Sequence, residues 1–309
     1  MTHQDPPPPS TRPDPGQVPG TAAGPSPART IRPRASAPLY LLGFLAVYLI
    51  AVRTPSGQRA ENALFGGYGA KPAWIYDWSG AAYGSSALPP LEQTAMPTLL
   101  VGLAVIAVVT VVRRSWWRGC AAIGIVIATV GSKELTRMAL PRPDLVDAHV
   151  SLIEPSFPSG HVAIPAGLAL GAVFVASPRV RPYLTTVGVL WLAVTAGAVQ
   201  ATYHHRPSDV LGSTLLACAW YSLAARLLPP AGAPGLVRRP AALPAVALAL
   251  SAVGALLAGA RDDSVTQSLV FAAAAFLCAA LLWSTAAEWP ARRTRPAPPE
   301  RRPLVRPPR

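Results

Sequence analysis

The feature that most constrains this chain is a rhythm of long apolar stretches broken by short polar ones. Ala35 to Val52 carries no charged residue, and neither does Pro182 to Tyr203. A run of about twenty apolar residues is long enough to cross the hydrocarbon of a bilayer as a helix. Comparable runs occupy about Gln93 to Val112, Gly119 to Leu140, His161 to Ala176, Pro207 to Leu228, Pro240 to Ala260 and Ser264 to Ala287. The pattern predicts an all-α fold, a polytopic transmembrane helical bundle.

Composition agrees. The 309 residues are 51% hydrophobic and 13% charged, where soluble domains carry about a quarter of charged residues. The formal charge of +13 lies in loops between apolar runs and in the tails, not on one basic face. Positive loops at a membrane surface account for it, so nucleic acid is excluded as a partner. Cys120, Cys218 and Cys278 fall inside apolar runs with no pairing pattern and read as small buried hydrophobes. No Cys-His spacing suggests a metal, and no cofactor is expected.

In order, residues 1–36 form a disordered Pro-rich tail, lacking the early apolar core of a signal peptide. Residues 37–228 hold six spans, with 53–94 as a long extracytoplasmic loop. Trp74, Tyr76, Trp78 and Tyr83 in that loop read as interface anchors. Residues 229–287 add two transmembrane helices, and 288–309 form a basic Pro-rich tail. With both termini cytoplasmic, Arg113, Arg114, Arg118, Arg179, Arg181, Arg226, Arg238 and Arg239 all fall inside, as the positive-inside rule requires. The remaining polar segments then face outward, across a bacterial cytoplasmic (plasma) membrane.

Those outward segments carry the chemistry. Leu140-Pro-Arg-Pro-Asp144, Phe157-Pro-Ser-Gly-His161 and Tyr203-His-His-Arg-Pro-Ser-Asp209 sit where apolar runs end. Ionisable groups at such places are costly and point to function. Arg142 offers a planar fork for phosphate oxygens, and Ser159 with the Gly160 N–H offers two further donors. His161 and His205 can supply a nucleophile and a proton donor near neutral pH. His205 and Asp209 are four apart at a helix entrance, a better fit for carboxylate orientation of an imidazole than His204. His204, Arg206 and Gln200 are supporting candidates. Asp144, Asp147, His149 and Glu154 read as a solvated loop, and Asp262 and Asp263 as an outside turn. Together the segments read as a phosphoryl-transfer centre.

The same residues resemble the type-2 phosphatidic acid phosphatase superfamily, the lipid phosphate phosphatases related to vanadium haloperoxidases. The family pattern is Lys-x6-Arg-Pro, Pro-Ser-Gly-His, and Ser-Arg-x5-His-x3-Asp. Pro158-Ser159-Gly160-His161 matches the second block in full, Arg142-Pro143 the end of the first, and His205 with Asp209 the end of the third. Two positions depart from it. Leu135 stands at the family lysine, flanked by Lys133 and Arg137 on one helix face. Val199 stands at the third-block arginine, next to Ala198 where the serine would be.

The resemblance implies a six-helix phosphatase core with two extra C-terminal spans, acting on a membrane lipid phosphate or isoprenyl diphosphate without metal. It implies His205 as nucleophile through a phosphohistidine, His161 as proton donor, and Asp209 as the residue orienting His205. Arg142, Ser159, Gly160 and Lys133 or Arg137 would bind the phosphate. Two alternatives stay open: a lipid phosphotransferase, or a catalytically weakened lipid-phosphate-binding protein lacking the third-block arginine. Nothing in the sequence sets an oligomeric state.

Overall fold

The computed structural model describes residues 36–65, 95–148, 152, 156–228, 242–259 and 264–288. The aromatic cluster expected at 74–83, His149, Glu154, Asp262, Asp263 and both tails lie outside those residues. Among the described residues there are nine α-helices and no strand. They are α1 Ser36–Val47, α2 Pro55–Ala63, α3 Met96–Val112, α4 Trp116–Ala139, α5 Gly160–Val175, α6 Arg181–Ala201, α7 Pro207–Leu227, α8 Ala242–Gly259 and α9 Val265–Glu288. Each apolar run has become a helix, and the chain is an all-α polytopic bundle. By length and composition α4, α6, α7 and most of α9 can cross a membrane, and α1 with α2 passes as a bent pair; α3, α5 and the Ala245–Leu256 part of α8 are shorter apolar helices.

α5 is the central helix. Thirteen of its sixteen residues are buried, as a helix apolar on all sides must be. It packs against α3, α4, α6 and α7. Small residues allow close approach: a Cβ on Gly171 would stand 3.0 Å from the Ala122 carbonyl of α4, and one on Gly188 of α6 would stand 2.7 Å from the Ala169 Cβ. Small residues at helix contacts are how apolar helices associate in lipid, where the hydrophobic effect offers no net gain between them.

The last two helices belong to this bundle. α8 packs along α6 and α9, and α9 packs along α6 and α7. The Tyr40 and Thr285 hydroxyls meet at 2.7 Å, tying α1 to α9.

One segment departs from the sequence reading. Residues 53–94 were expected as a loop, yet Pro55–Ala63 is helical. α1 runs through a π-helical turn, Tyr48–Val52, and the chain then bends by 79° into α2. Thr54 caps the new helix, accepting the Gly57 N–H at 3.0 Å, and Pro55 occupies its first turn, where a missing N–H costs nothing. Its buried residues are Gln58 and Glu61. A helix that buries polar side chains has no apolar period to betray it.

Candidate active site at one end of the bundle

The site is built where α4 and α6 end and α5 and α7 begin. The Ser159 N–H donates to the Asp209 carbonyl at 3.1 Å, and the Ser213 hydroxyl donates to the Ser159 carbonyl at 2.6 Å. The Ser-Gly turn is thus stapled to the first turns of α7. Ser159 is fully buried and caps α5, its hydroxyl facing the Val162 N–H at 3.4 Å. The N-terminal N–H groups of α5, with their share of the helix dipole, present a ready anion-binding end.

His161 stands in the first turn of α5 and His205 in the turn before α7. Their ring centroids are 5.8 Å apart with the planes inclined at 57°, close enough for both rings to reach one phosphorus and its leaving oxygen. Behind His205, Asp209 Oδ2 lies 3.4 Å from Nδ1 and also accepts the Arg206 N–H at 2.9 Å. A carboxylate there holds the imidazole with Nε2 turned the other way. The chain enters this arrangement through a tight reversal: Tyr203 has φ 60°, and the His204 and His205 N–H groups both donate to the Val199 carbonyl, at 3.0 and 3.1 Å.

Lys133, on α4, reaches the same turn. A Cβ on Gly160 would stand 3.3 Å from its Nζ, so glycine is what leaves room for the ammonium. Nζ also meets Glu134 Oε1 at 2.6 Å. Arg137 is exposed further along α4, so the structure brings Lys133, not Arg137, to the Ser-Gly turn.

Arg142 is held by α2. Its Nη1 donates to Glu61 Oε2 at 3.3 Å and its Nη2 to Asn62 Oδ1 at 3.4 Å, with the Arg142 and Glu61 side chains 4% and 9% exposed. Glu61 Oε1 accepts the Ser208 N–H at 3.1 Å. Burial, reinforced by the nearby Asp209, pushes the Glu61 carboxyl above the usual carboxylate range, against the pull of Ser208, Arg142 and Arg206. Gln58 completes the strap: its amide donates to the Val52 and Pro143 carbonyls at 2.8 and 2.6 Å and accepts the Leu145 N–H at 3.2 Å. Sequence reasoning missed Gln58, Glu61 and Asn62. The one available signal was the Thr54-Pro55 helix start.

The supporting candidates divide. Arg206 is buried, donating to the Ser156 hydroxyl at 2.9 Å and the Leu152 carbonyl at 2.7 Å, with its guanidinium carbon 5.0 Å from the Phe65 ring centre. It braces the strand of chain leading into the Ser-Gly turn. His204 is exposed. Gln200 is a correction: it is fully buried and its amide donates to the Ala196 and Phe271 carbonyls at 2.8 and 3.3 Å. It ties α6 to α9 instead of serving the site, because an amide one residue from the end of α6 here turns back along the helix to Ala196 and across to Phe271 of α9. Val199 is fully buried in the apolar core. Asp144 caps its own loop through the Val146 and Ala148 N–H groups. Among the described residues, no cluster of three His, Cys, Asp or Glu side chains is placed to hold a metal.

Residues 99–232 match the family model described as the PAP2 superfamily. That span takes in Lys133, Arg142, the Ser159–His161 turn and His205–Asp209, and leaves out α1, α2, α8 and α9. No curated protein and no solved structure matches the chain.

Proposed function

Since residues 99–232 belong to the PAP2 superfamily, whose members act as phosphatases or phosphotransferases on phosphorylated substrates, we propose that this integral membrane protein hydrolyses a lipid phosphate or isoprenyl (di)phosphate through a phosphohistidine. The observation that carries this reading is the facing pair His161 and His205 with Asp209 behind the second. Nε2 of His205 attacks phosphorus while the bond from phosphorus to the leaving oxygen breaks, and the His161 imidazolium gives that oxygen its proton. Neutral His161 then takes a proton from water, whose oxygen displaces Nε2 and releases phosphate. Charge gathers on the equatorial oxygens. Lys133, Arg142, Ser159 and the Gly160 N–H are the donors for it, and cationic side chains do the work a metal does elsewhere.

What supports a lipid substrate is the place of the site, at the end of a bundle whose outer faces are apolar. Exposed Leu100, Val101, Val105 and Val108 on α3 and Leu135 and Met138 on α4 are suited to hydrocarbon. Arg113, Arg114 and Arg179 lie in the turns at the opposite end, where Arg181 also opens α6, and by the positive-inside rule that end is the cytoplasmic one. The site is then extracytoplasmic.

A second reading rests on Val199. The position of the family's third-block arginine is apolar and buried, and Arg206 is engaged by Ser156 and Leu152. Loss of one charged donor costs about 3 kcal/mol of transition-state stabilisation, which would leave a slow enzyme or a lipid-phosphate binder.

Phosphate release from phosphatidic acid, phosphatidylglycerol phosphate and a polyprenyl diphosphate, in detergent with a chelator, separates these. Release abolished by His205→Ala is expected. Release that survives His205→Ala would remove the covalent step, and phosphate found on an added alcohol would make the protein a transferase. Vanadate binding without release from any of the three lipids would favour the binder.

A further inference from the structure

We propose that Glu61, on the short helix α2 outside the matched family segment, is a positioning residue of the phosphate site that acts on Arg142 and on the start of α7 together. The inference rests on the anion-site reading above. Glu61 touches two of the three motif segments, the first and the third. Oε2 accepts from Arg142 Nη1 at 3.3 Å, and Oε1 accepts from the Ser208 N–H at 3.1 Å. Ser208 precedes Asp209 in the first turn of α7. The carboxylate therefore ties the guanidinium of the first segment to the helix that orients His205.

Both partners are donors. A carboxylate can accept from each, whereas an amide of the same shape has one acceptor oxygen and would turn its NH2 on the other donor. Asn62 Oδ1 accepts from the second terminal nitrogen of Arg142 at 3.4 Å, so the guanidinium spends one N–H of each terminal nitrogen on α2 and keeps its others for an anion. Gln58 fixes the backbone on either side of that grip, through Pro143 and Leu145. Three polar side chains within one and a half turns of a helix all bear on the Arg142 loop. A carboxylate held at 9% exposure is costly to bury for fold alone, and this one is spent on orienting a second buried charge.

Orthovanadate, which takes the five-coordinate geometry of phosphoryl transfer, is the probe, with affinity read by calorimetry on the full chain in detergent. Glu61→Ala and Glu61→Gln are each expected to weaken vanadate at least tenfold, and Glu61→Asp, which keeps both acceptor oxygens on a shorter stem, to recover part of that loss. Melting temperatures measured alongside need not follow the same order, because a merely structural role would make affinity track the folded fraction. If Glu61→Ala does not accumulate as folded protein, the comparison of Gln with Asp carries the test, since Asp keeps the charge and both acceptor oxygens and Gln keeps neither the charge nor the second acceptor. Gln or Ala variants binding vanadate within twofold of wild type would overturn the inference while leaving the site reading intact. Wild type that fails to bind vanadate would overturn the site reading itself, and this inference with it. Wild type that binds vanadate but releases no phosphate from lipid would sink the phosphatase reading alone.

Discussion

His161, in the first turn of α5, and His205, in the turn before α7, meet with ring centroids 5.8 Å apart at 57°, and Asp209 stands behind His205 at 3.4 Å. On the phosphohistidine reading proposed above, the two rings take different roles. A ring held by a carboxylate is set in one tautomer and suits nucleophilic attack; its neighbour is left to carry the mobile proton.

A division of labour of that kind predicts different responses to the leaving group. A general acid matters most when the departing alkoxide is a strong base, and contributes about 10²- to 10⁴-fold. His161→Ala is expected to lose most activity on an alkyl phosphate and much less on p-nitrophenyl phosphate, whose phenolate leaves without help. His205→Ala should lose both. Steady-state rates on the two substrates check this, and equal losses on both in His161→Ala would remove the acid role.

Asp209→Asn is predicted to leave the chain folded and to lower turnover by about 10⁴-fold, the scale seen when an imidazole loses its orienting carboxylate. An amide at this position can present its NH2 to Nδ1 and stabilise the wrong tautomer. Turnover of the variant, with its melting temperature as control, measures the effect. Wild-type turnover in Asp209→Asn would make the carboxylate a helix cap and nothing more.

Glycines near the site predict a contrast that separates packing from helix propensity. A Cβ on Gly212 of α7 would stand 2.7 Å from Cε2 of Phe157, and that ring is already held by Phe44 and Tyr48 at centroid distances of 5.3 and 5.6 Å. Gly212→Ala therefore has to move Phe157 and with it the Pro158-Ser159 turn, at about 1–3 kcal/mol for overpacking. Gly124→Ala, with nothing within 4 Å of the new carbon, should be neutral or stabilising by up to about 1 kcal/mol. Thermal melts of the two variants in detergent give the comparison, and equal melting temperatures would contradict it.

How much of this was legible beforehand depended on which physical signal each residue carried. The helices were readable because bilayer-length apolar runs admit little else, and their ends fell within a few residues of Pro, Gly or Arg. The pairing of His161 with His205 followed from motif order and from the alternation of helix direction, which returns every second loop to the same end. Lys133 and Arg137 could not be separated in sequence, since residues four apart share a face; in the fold it is the Lys133 ammonium that stands over Gly160. α2 was invisible for the opposite reason. Its buried residues, Gln58 and Glu61, are polar, and no periodicity test looks for a helix whose buried side is made of hydrogen-bonding groups. Gln200 misled because polarity near a helix end suggests the site, whereas α9, added beyond the family segment, had already claimed its amide.

The state of Glu61 gives a prediction whose sign can be worked out. Burial, with Asp209 adding to it, raises the Glu61 carboxyl above its ordinary range. The folded protein then holds that proton to a higher pH than the unfolded chain, which releases it near about 4.3. Between those two values the native state binds more protons, so the slope of unfolding free energy with pH is negative. The Glu61 contribution is fully present below the unfolded value and is lost as pH rises through the folded one. Melts of wild type and Glu61→Gln over a series of pH values test it, because the two chains differ at this one carboxyl. The wild-type advantage should shrink as pH rises through that window and level off above it. An advantage that grows with pH would mean that Arg142, 3.3 Å away, outweighs burial and holds the carboxyl below its ordinary value.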